Sequence, residues 1–388
     1  MAKLGEICAF QSGGTPSKNK PEYFGGEIPW ISTTALNGGK INEADAVAWI
    51  TPKAIRESAA KIVPANSIMV GTRVGIGKVA INTVEMSTSQ DVISLIGIDK
   101  DKWYKPYLCK LLLSKKDYFN SQARGATIKG IKIDVVANID VPEIDYATQR
   151  KVAATLNKID TLIVLRKQQL EKLDELIKAR FVEMFGDVFL NPMEWPEKKL
   201  ESLADIVSGI TKGRKTTETD LQEVPYMAVS NVKDGYIDWT TVKTILATRR
   251  EIEQYRLMPD DILMTEGGDP DKVGRGAIIK MPLKNSIHQN HIFRVRLNEQ
   301  EILPDFLAEY LQHQKAKRYF LGCAKQTTGI ASINMRQIKA LPTLVPPLSL
   351  QNQFAAFVER VDKQKQTVQQ SLEKLELMKK ALMQEYFG

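Results

Sequence analysis

Two histidines and a glycine-rich segment are the parts of this sequence that could carry metal or phosphate chemistry. His288 and His291 have the spacing of paired metal ligands, but no cysteine or third histidine lies near them in the sequence. We therefore expect no metal site there. The segment 71–78 departs from a phosphate-binding loop, because five residues separate its outer glycines and valine follows the lysine where a hydroxyl residue is needed. Its Gly-x-Gly step predicts a turn between strands.

The peptide NPMEW at 191–195 is the remaining catalytic candidate. It shares its first two residues with the Asn-Pro-Pro-aromatic motif of amino-methyltransferases, but Met193 and Glu194 replace the compact proline-aromatic step. A helix, rather than the strand such a motif follows, is predicted before it. We therefore predict that this chain has no catalytic residues.

A long internal duplication accounts for the organisation of the rest of the sequence. The segment from Gln149 to Gly186 and the segment from Gln351 to Gly388 align without a gap, about 202 residues apart. They share the glutamine, an aspartate (Asp160 and Asp362), an EKL triplet and a closing Phe-Gly. A repeat of this length indicates a duplicated domain, because solenoid repeats are several-fold shorter.

The globular parts that precede these helices also match, although more loosely. The matching segments include Pro29-Trp30 with Pro225-Tyr226, the glycine-rich turns after 71 and after 266, and Ser89-Gln90-Asp91 with His288-Gln289-Asn290. Since the helices match far better than the globular parts, we infer that one task is identical in both halves and another differs.

Composition limits the class of protein. The chain has 388 residues and a formal net charge of +8, which suits a polyanionic partner. Three cysteines without a CxxC pair fit a reducing compartment better than a disulfide framework. No apolar run reaches the length of a membrane span, and the first residues lack the apolar stretch of a signal peptide. We expect a cytoplasmic protein that does not enter a membrane.

The pattern of short apolar runs, glycine-rich turns and basic amphipathic helices, without regular alternation, predicts an α+β fold. We predict two tandem globular domains that alternate with two long helices. The predicted segments are a first domain at 1–148, a first helix at 149–186, a linker at 187–199, a second domain at 200–348 and a second helix at 349–388.

Both long helices carry a heptad pattern that predicts a coiled coil. Parallel pairing would set charges such as Lys365 against apolar residues, whereas antiparallel pairing places Ile177 opposite Val368 and leaves two like-charge layers. Those layers are Arg166 with Lys379 and Arg180 with Lys365, to be met by water or by acids such as Glu171, Glu183 or Glu373. The alternative is two unrelated amphipathic surface helices.

The paired helices that close with Phe-Gly, the linker NPMEWP at 191–196, the turn GGDPDKVGRG and the entry LPTLVPPLSLQNQ carry a resemblance that covers essentially the whole chain. The sequence resembles the specificity subunit of Type I DNA restriction-modification systems. The resemblance implies two target recognition domains and an antiparallel helix pair with pseudo-two-fold symmetry. Each domain would read one half of a bipartite target in double-stranded DNA, and the helices would set the spacer between the halves.

The resemblance also implies partners. Two methyltransferase subunits would dock on the helices and restriction subunits would join them, so S-adenosylmethionine, ATP and magnesium would be bound by partners and not by this chain. Two alternatives are a standalone DNA-binding regulator and a non-catalytic coiled-coil scaffold. The regulator would need an effector site or an acidic metal cluster, while the basic charge and two large globular domains argue against the scaffold.

DNA reading requires arginine or lysine toward guanine and phosphate, and asparagine or glutamine toward adenine. For each candidate on a turn, the alternative is a solvated surface group. The candidates in the first domain are Arg73, Lys78, Ser89, Gln90, Arg124, Thr127 and Lys129. Those in the second are Lys212, Arg214, Lys215, Lys272, Arg275, His288, Gln289, Asn290, Lys325, Gln326 and Thr327.

Apolar residues beyond the helix seam are candidates for methyltransferase docking, with a broad core face as the alternative. They are Leu162, Leu165, Phe181 and Met383.

Overall fold

The computed structural model describes residues 1–125, 127–215, 218–269, 273–327 and 330–388, the side chains of 326, 327 and 330 excepted. The chain forms two compact units. The first unit comprises residues 1–167 and 370–388, and the second unit comprises residues 168–369. Each unit therefore contains one globular part and a portion of both long helices.

The first unit mixes short strands and helices. Its strands are β1 (Ala2–Lys3), β2 (Ala9–Ser12), β3 (Phe24–Ile31), β4 (Lys40–Ile41), β5 (Ala48–Ile50), β6 (Ile62–Val63), β7 (Ile68–Gly71), β8 (Val79–Asn82), β9 (Met86–Thr88), β10 (Val92–Ile96) and β11 (Asp140–Val141). Its short helices are α1 (Leu4–Ile7), α2 (Pro52–Glu57), α3 (Lys105–Ser114), α4 (Lys116–Gln122) and α5 (Ile133–Ala137), and the long helix α6 (Tyr146–Phe185) begins here.

The second unit has the same mixture. Its strands are β12 (Glu197–Lys199), β13 (Ala204–Ser208), β14 (Leu221–Met227), β15 (Lys243–Thr248), β16 (Ile262–Thr265), β17 (Gly267–Gly268), β18 (Gly276–Ile278), β19 (Ile287–His288), β20 (Ile292–Leu297), β21 (Lys325–Thr327), β22 (Ile330–Ser332) and β23 (Pro342–Leu344). Its short helices are α7 (Arg249–Tyr255), α8 (Pro304–Tyr310), α9 (Gln314–Cys323) and α10 (Met335–Lys339), and the long helix α11 (Leu348–Phe387) begins here.

The sheets of the two units repeat one another. The order β2-β10-β7-β8 in the first unit corresponds to β13-β20-β16-β18 in the second, with every adjacent pair antiparallel. The order β5-β3-β9 corresponds to β15-β14-β19, and in both the last pair is parallel. The predicted α+β fold and the duplication are confirmed.

Each long helix has 40 residues and starts slightly before its predicted first residue. Within the first unit, Asp160 of α6 contacts Lys379 of α11 and Lys167 contacts Glu376. Within the second unit, Asp174 contacts Lys365. Residue numbers rise along one helix as they fall along the other, so the helices pair antiparallel, as the heptads predict.

A glutamine fixes the start of each long helix. Gln149 is buried, accepts a hydrogen bond from Tyr104 N at 2.8 Å and donates to Lys102 O and Ile144 O. Gln351 is also buried and makes the same three kinds of bond, accepting from Leu303 N at 2.8 Å and donating to the carbonyl oxygens of residues 301 and 346. The repeated glutamine thus satisfies main-chain groups that burial would otherwise leave unpaired.

The register of the helix pair differs from the predicted one. Lys365 pairs with Asp174 at 2.6 Å and Lys379 pairs with Asp160 at 2.6 Å, each six residues before the arginine predicted to face it. Glu183 meets Arg180 at 2.8 Å, as expected of that acid. The predicted like-charge layers are therefore replaced by ion pairs, because a shift of the register lets each lysine reach an aspartate.

The apolar seam is best formed in the second unit, where Leu173, Val361 and Val368 are buried against Leu170, Ile177 and Phe357. At the ends of the helices the seam merges with the globular cores. Phe387 lies in one core with Leu4 in the first unit, and Phe185 lies in one core with Leu200 in the second. The ends of the helices are thus held by globular packing in both units.

Asp160 joins three elements of the first unit, and its replacement tests that junction. Its carboxylate accepts from Lys110 of α3, whose side chain is only 6% exposed, and also pairs with Lys379. Burial opposes ionisation of this carboxyl, but hydrogen bonds and charges from the two lysines lower its pKa overall. We expect Asp160→Asn to reduce the free energy of unfolding by roughly 2–4 kcal/mol, because it leaves Lys110 buried without its partner.

Thermal and urea unfolding at neutral pH measure this loss. The matched control is Glu376→Gln, which breaks the exposed pair with Lys167 and should cost less than about 1 kcal/mol. Because the folded pKa of Asp160 is lowered, its contribution is present above its unfolded pKa and is lost as the pH falls through the folded value. Equal losses for the two variants would contradict a structural role for this junction.

Candidate nucleic-acid interface

Three sequence-predicted residues meet in the first unit. Arg73, Gln90 and Arg124 line one open groove together with Gln122 and Lys132. They come from separate segments: the turn between β7 and β8, the connection between β9 and β10, and the loop that precedes α5. All three predicted side chains are exposed, so the fold brings two guanidinium groups and an amide to one accessible surface.

Main-chain hydrogen bonds hold this surface in shape. Thr72 N donates to Asp91 O at 2.8 Å, and Ile131 N donates to Thr72 O at 2.8 Å. Arg124 and Gly130 are joined by reciprocal main-chain bonds, each of 2.9 Å. Since main-chain groups make these contacts, the side chains of Arg73, Gln90 and Arg124 are left available to a ligand.

The glycine-rich turn supplies the space for a helix. Gly77 has φ +73°, and a Cβ there would lie 3.1 Å from a side-chain atom of Lys116, the first residue of α4. Gly274 in the second unit has φ +69°, and a Cβ there would lie 2.3 Å from the ring of Phe320 in α9. Both positions need glycine for conformation and for close packing.

Charges in the groove are weakly restrained. Arg73 is half-exposed, and its Nη1 lies 3.8 Å from Asp91 Oδ1. Lys78, Thr127 and Lys129 are exposed beside it on the same turn and loop. A guanidinium with one distant, partly solvated partner can turn toward a phosphate at little cost.

Ser89 is a correction to the set of candidates. Its side chain is 4% exposed, and it is enclosed between β9 and β10. The hydroxyl is therefore removed from the accessible contacts, although its neighbour Gln90 remains among them.

The second unit repeats the hydrogen-bond frame. Glu266 N donates to His291 O at 3.0 Å, and Ile333 N donates to Glu266 O at 2.8 Å, as the corresponding bonds join Thr72, Asp91 and Ile131. Thr265 N donates to Arg275 O at 3.0 Å just as Gly71 N donates to Lys78 O at 2.9 Å. Glu266, His291 and Arg275 therefore stand where the first unit has Thr72, Asp91 and Lys78.

This frame corrects the alignment of the two halves by one residue. Ile31 pairs with Thr88 in the first unit, and Met227 pairs with His288 in the second. Thr88 and not Ser89 thus corresponds to His288, and Gln90 corresponds to Asn290. The accessible counterpart of Asp91 is His291.

His288 is the second correction. It is fully buried, and its ring nitrogens lie 3.2 Å from Tyr255 O and 3.3 Å from Val207 O. Burial lowers the pKa of His288 to about 4, with the two carbonyls opposing the shift. The residue is a neutral core histidine at pH 7 that joins three segments, so it is not a DNA contact.

The remaining candidates of the second unit are dispersed. Gln289 and Asn290 are half-buried beside His291, and Gln289 Oε1 accepts from Val229 N at 3.4 Å. Arg275 is half-buried on the glycine-rich turn, and Lys325 is exposed at the start of β21. Lys272 and the side chains of Gln326 and Thr327 lie outside the described part of the chain.

One of the three basic residues on the turn 212–215, Arg214, has its side chain engaged within the protein. Arg214 forms an ion pair with Glu251 and donates to Leu246 O at 3.2 Å. Hydrogen bonding to Glu251 raises the pKa of this guanidinium, against burial. Lys212 and Lys215 are exposed.

Comparison with known proteins agrees with this duplicated arrangement. A family model described as Type I restriction modification DNA specificity domain matches residues 1–175 and again residues 192–377. This chain belongs to that family.

Relatives in the family are specificity subunits by name. The Type I restriction enzyme MjaIX specificity subunit of Methanocaldococcus jannaschii is 25% identical over 381 residues, which cover 92% of this chain and 85% of that protein. The Type I restriction enzyme EcoKI specificity subunit of Escherichia coli strain K12 is 21% identical over 351 residues, covering 86% and 75%.

Solved structures show the same fold. An S subunit of a Type I restriction-modification system from M. genitalium gives a TM-score of 0.57 at 16% identity, covering all of this chain and 95% of that one. A chain from work on complex assembly and conformational transition of the type I R-M system gives 0.62 at 17% identity, covering 100% and 96%.

The docking candidates of this specificity-domain chain divide into exposed and buried residues. Leu165 is 53% exposed and Leu162 is half-buried. Phe181, by contrast, is fully buried among Phe185, Phe306 and Phe354, and Met383 packs against the core of the first unit. Phe181 is therefore a core residue and not part of a docking surface. Its apolar character in the sequence is compatible with either role.

Among the described residues, no group of three or more histidine, cysteine or acidic side chains could hold a metal ion. No helix in that part of the chain is long and apolar enough to cross a membrane. Sequence reasoning did not single out Gln122 and Lys132 in the groove or Glu266 beside His291. Lys132 closes the basic segment 124–132 and Glu266 opens the glycine-rich segment after 266, so the segments were recognised but these residues were not.

Proposed function

We propose that this chain is the DNA-reading specificity subunit of a Type I restriction-modification enzyme, in which each globular part reads one half of a bipartite double-stranded target. The paired long helices set the spacer between the halves and dock two methyltransferase subunits, which restriction subunits join. The chain itself is non-catalytic, so S-adenosylmethionine, ATP and magnesium belong to the partners.

The observation that carries this proposal is the groove of the first unit. It combines two guanidinium groups, which suit phosphate or guanine, with an amide that suits adenine. The same main-chain frame recurs in the second unit with different side chains, Glu266, Asn290 and His291, at the accessible positions. A common frame with different exposed groups supports the reading of two different half-sites.

Exchange of one recognition part tests the proposal. Replacing residues 197–350 by the equivalent segment of another family member is expected to change one half of the target and leave the other half unaltered. The segment lies within the second compact unit, so the core of the first unit is untouched. Mapping of methylated sites in cells that carry the assembled complex gives the result, and simultaneous change of both halves would contradict modular reading.

Leu165 tests the docking proposal. Because its side chain is 53% exposed beside the exposed Val164, replacement by aspartate places a charge on the helix surface without entering a core. We expect Leu165→Asp to reduce co-purification of methyltransferase subunits at least about tenfold while thermal unfolding is little changed. Lys172→Asp, on an exposed polar position of the same helix, is the control. Normal recovery of two methyltransferase subunits with Leu165→Asp would place docking elsewhere.

A further inference from the structure

An acid and a histidine face one cavity of the second unit. Glu266, which follows β16, and His291, which precedes β20, line it together with Val229, Gly267 and Ser332. The Glu266 carboxylate is hydrogen-bonded to His291 Nδ1, and both side chains are partly exposed. His291 Nε2 lies 3.5 Å from the amide nitrogen of Asn290. Asn290, His291 and Glu266 thus form a continuous polar row.

The row lies on the same main-chain frame as part of the groove in the first unit. There Gln90, Asp91 and Arg73 are neighbours, and the main-chain bond from Thr72 N to Asp91 O matches that from Glu266 N to His291 O. The side chains on the frame differ. The first unit has Asp91 on the β10 side and Thr72 after β7, with Arg73 next in the chain. The second unit has His291 on the β20 side and Glu266 at the position of Thr72.

An acid at this place has a restricted chemistry toward DNA. A carboxylate is repelled by phosphates, and it accepts hydrogen bonds without donating them. In the major groove the donors on base edges are the exocyclic amino groups, N4 of cytosine and N6 of adenine. The hydrogen bond with His291 Nδ1 fixes the orientation of this carboxylate.

We propose that Glu266, positioned by His291, is a specificity-determining residue that accepts a hydrogen bond from an exocyclic amino group in the half-site of the second unit. This inference rests on the proposed function, because it requires that the chain reads DNA. It assigns the discrimination of one base position to an acidic residue at the start of the glycine-rich segment.

Selection from a randomised double-stranded DNA library, with the full chain assembled with its methyltransferase subunits, tests the assignment. Glu266→Gln keeps size and shape but adds a donor, so thymine and guanine acceptors become tolerated. We expect the preference for cytosine or adenine at one position to fall about tenfold, with the other half-site unchanged. The base whose preference falls, cytosine or adenine, identifies which exocyclic amino group donates to Glu266. Glu253→Gln, an exposed acid on α7, is the control and should leave the selected sequence unaltered.

Three results would overturn the inference. They are an unchanged sequence preference with Glu266→Gln, an equal loss of affinity for all sequences, and a change in both half-sites. His291→Gln provides a second variant, which is expected to reduce the base preference at the same target position. Thermal unfolding verifies that both variants are folded. If the wild-type complex selects no sequence, the proposed function itself fails, which separates that outcome from the failure of Glu266 alone.

Discussion

Replacement of Arg73 and Arg124 together by alanine is expected to weaken DNA binding by the assembled complex about 10- to 100-fold. Both guanidinium groups line the groove of the first unit, and neither is held in a close ion pair within it. If each contacts a phosphate, the loss falls equally on all sequences and the slope of log K against log salt decreases by about two units. Titrations of specific and unrelated duplexes at several salt concentrations measure both quantities.

The matched control removes two cations from the same unit. Lys102 is exposed, Lys53 is half-exposed, and neither lines the groove, so their joint replacement by alanine leaves the net charge equal to that of the arginine variant. Equal weakening by both double variants would indicate diffuse charge attraction rather than a groove. A loss confined to the specific duplex would instead assign Arg73 or Arg124 to base reading.

Lengthening both helices should lengthen the spacer of the target. Four residues inserted after Lys167 and four after Gln369, where each helix passes from one compact unit to the other, add one turn and about 6 Å. That rise corresponds to about two base pairs at 3.4 Å each. We therefore expect a spacer longer by about two base pairs, with both half-sites unaltered, in maps of methylated sites.

Insertion into one helix alone is the control, because it moves the lysines of one helix away from the aspartates of the other. Loss of the pairs between Asp160 and Lys379 or between Asp174 and Lys365 should then impair folding or assembly. An active complex with both insertions and an unchanged spacer would show that the helices do not set the distance. A new half-site sequence would show that they contribute to base reading.

The sequence allowed prediction of those features that repeat or follow a strong period. The antiparallel helices follow from the heptads, and the importance of Gln149 and Gln351 follows from their recurrence. The register could not be predicted to the residue, because apolar spacing alone tolerates a shift along the helix pair. The ion pairs of Asp160 and Asp174 select among the registers, and those depend on how far a lysine side chain reaches.

Candidate contacts were harder to predict because side-chain accessibility depends on sheet packing. Ser89 and His288 resemble polar loop residues in the sequence, yet both are enclosed where two sheets approach. Phe181 belongs to the core because α8 and α11 cover it. The candidate site of the first unit was predicted better than that of the second. The candidates of the first unit converge from three loops, whereas those of the second are dispersed.

The frame that joins Thr72, Asp91 and Ile131, and likewise Glu266, His291 and Ile333, is made by peptide groups, which every residue except proline supplies alike. Substitution of the partly exposed side chains on this frame, those of Asp91, Glu266 and His291, therefore leaves its main-chain bonds unaltered while it changes the groups on the surface. If the chain reads DNA as proposed, single codon changes at these positions would alter the recognised sequence without altering the fold. The same tolerance makes residues 73, 90, 266, 290 and 291 the natural positions to randomise in a library of altered readers.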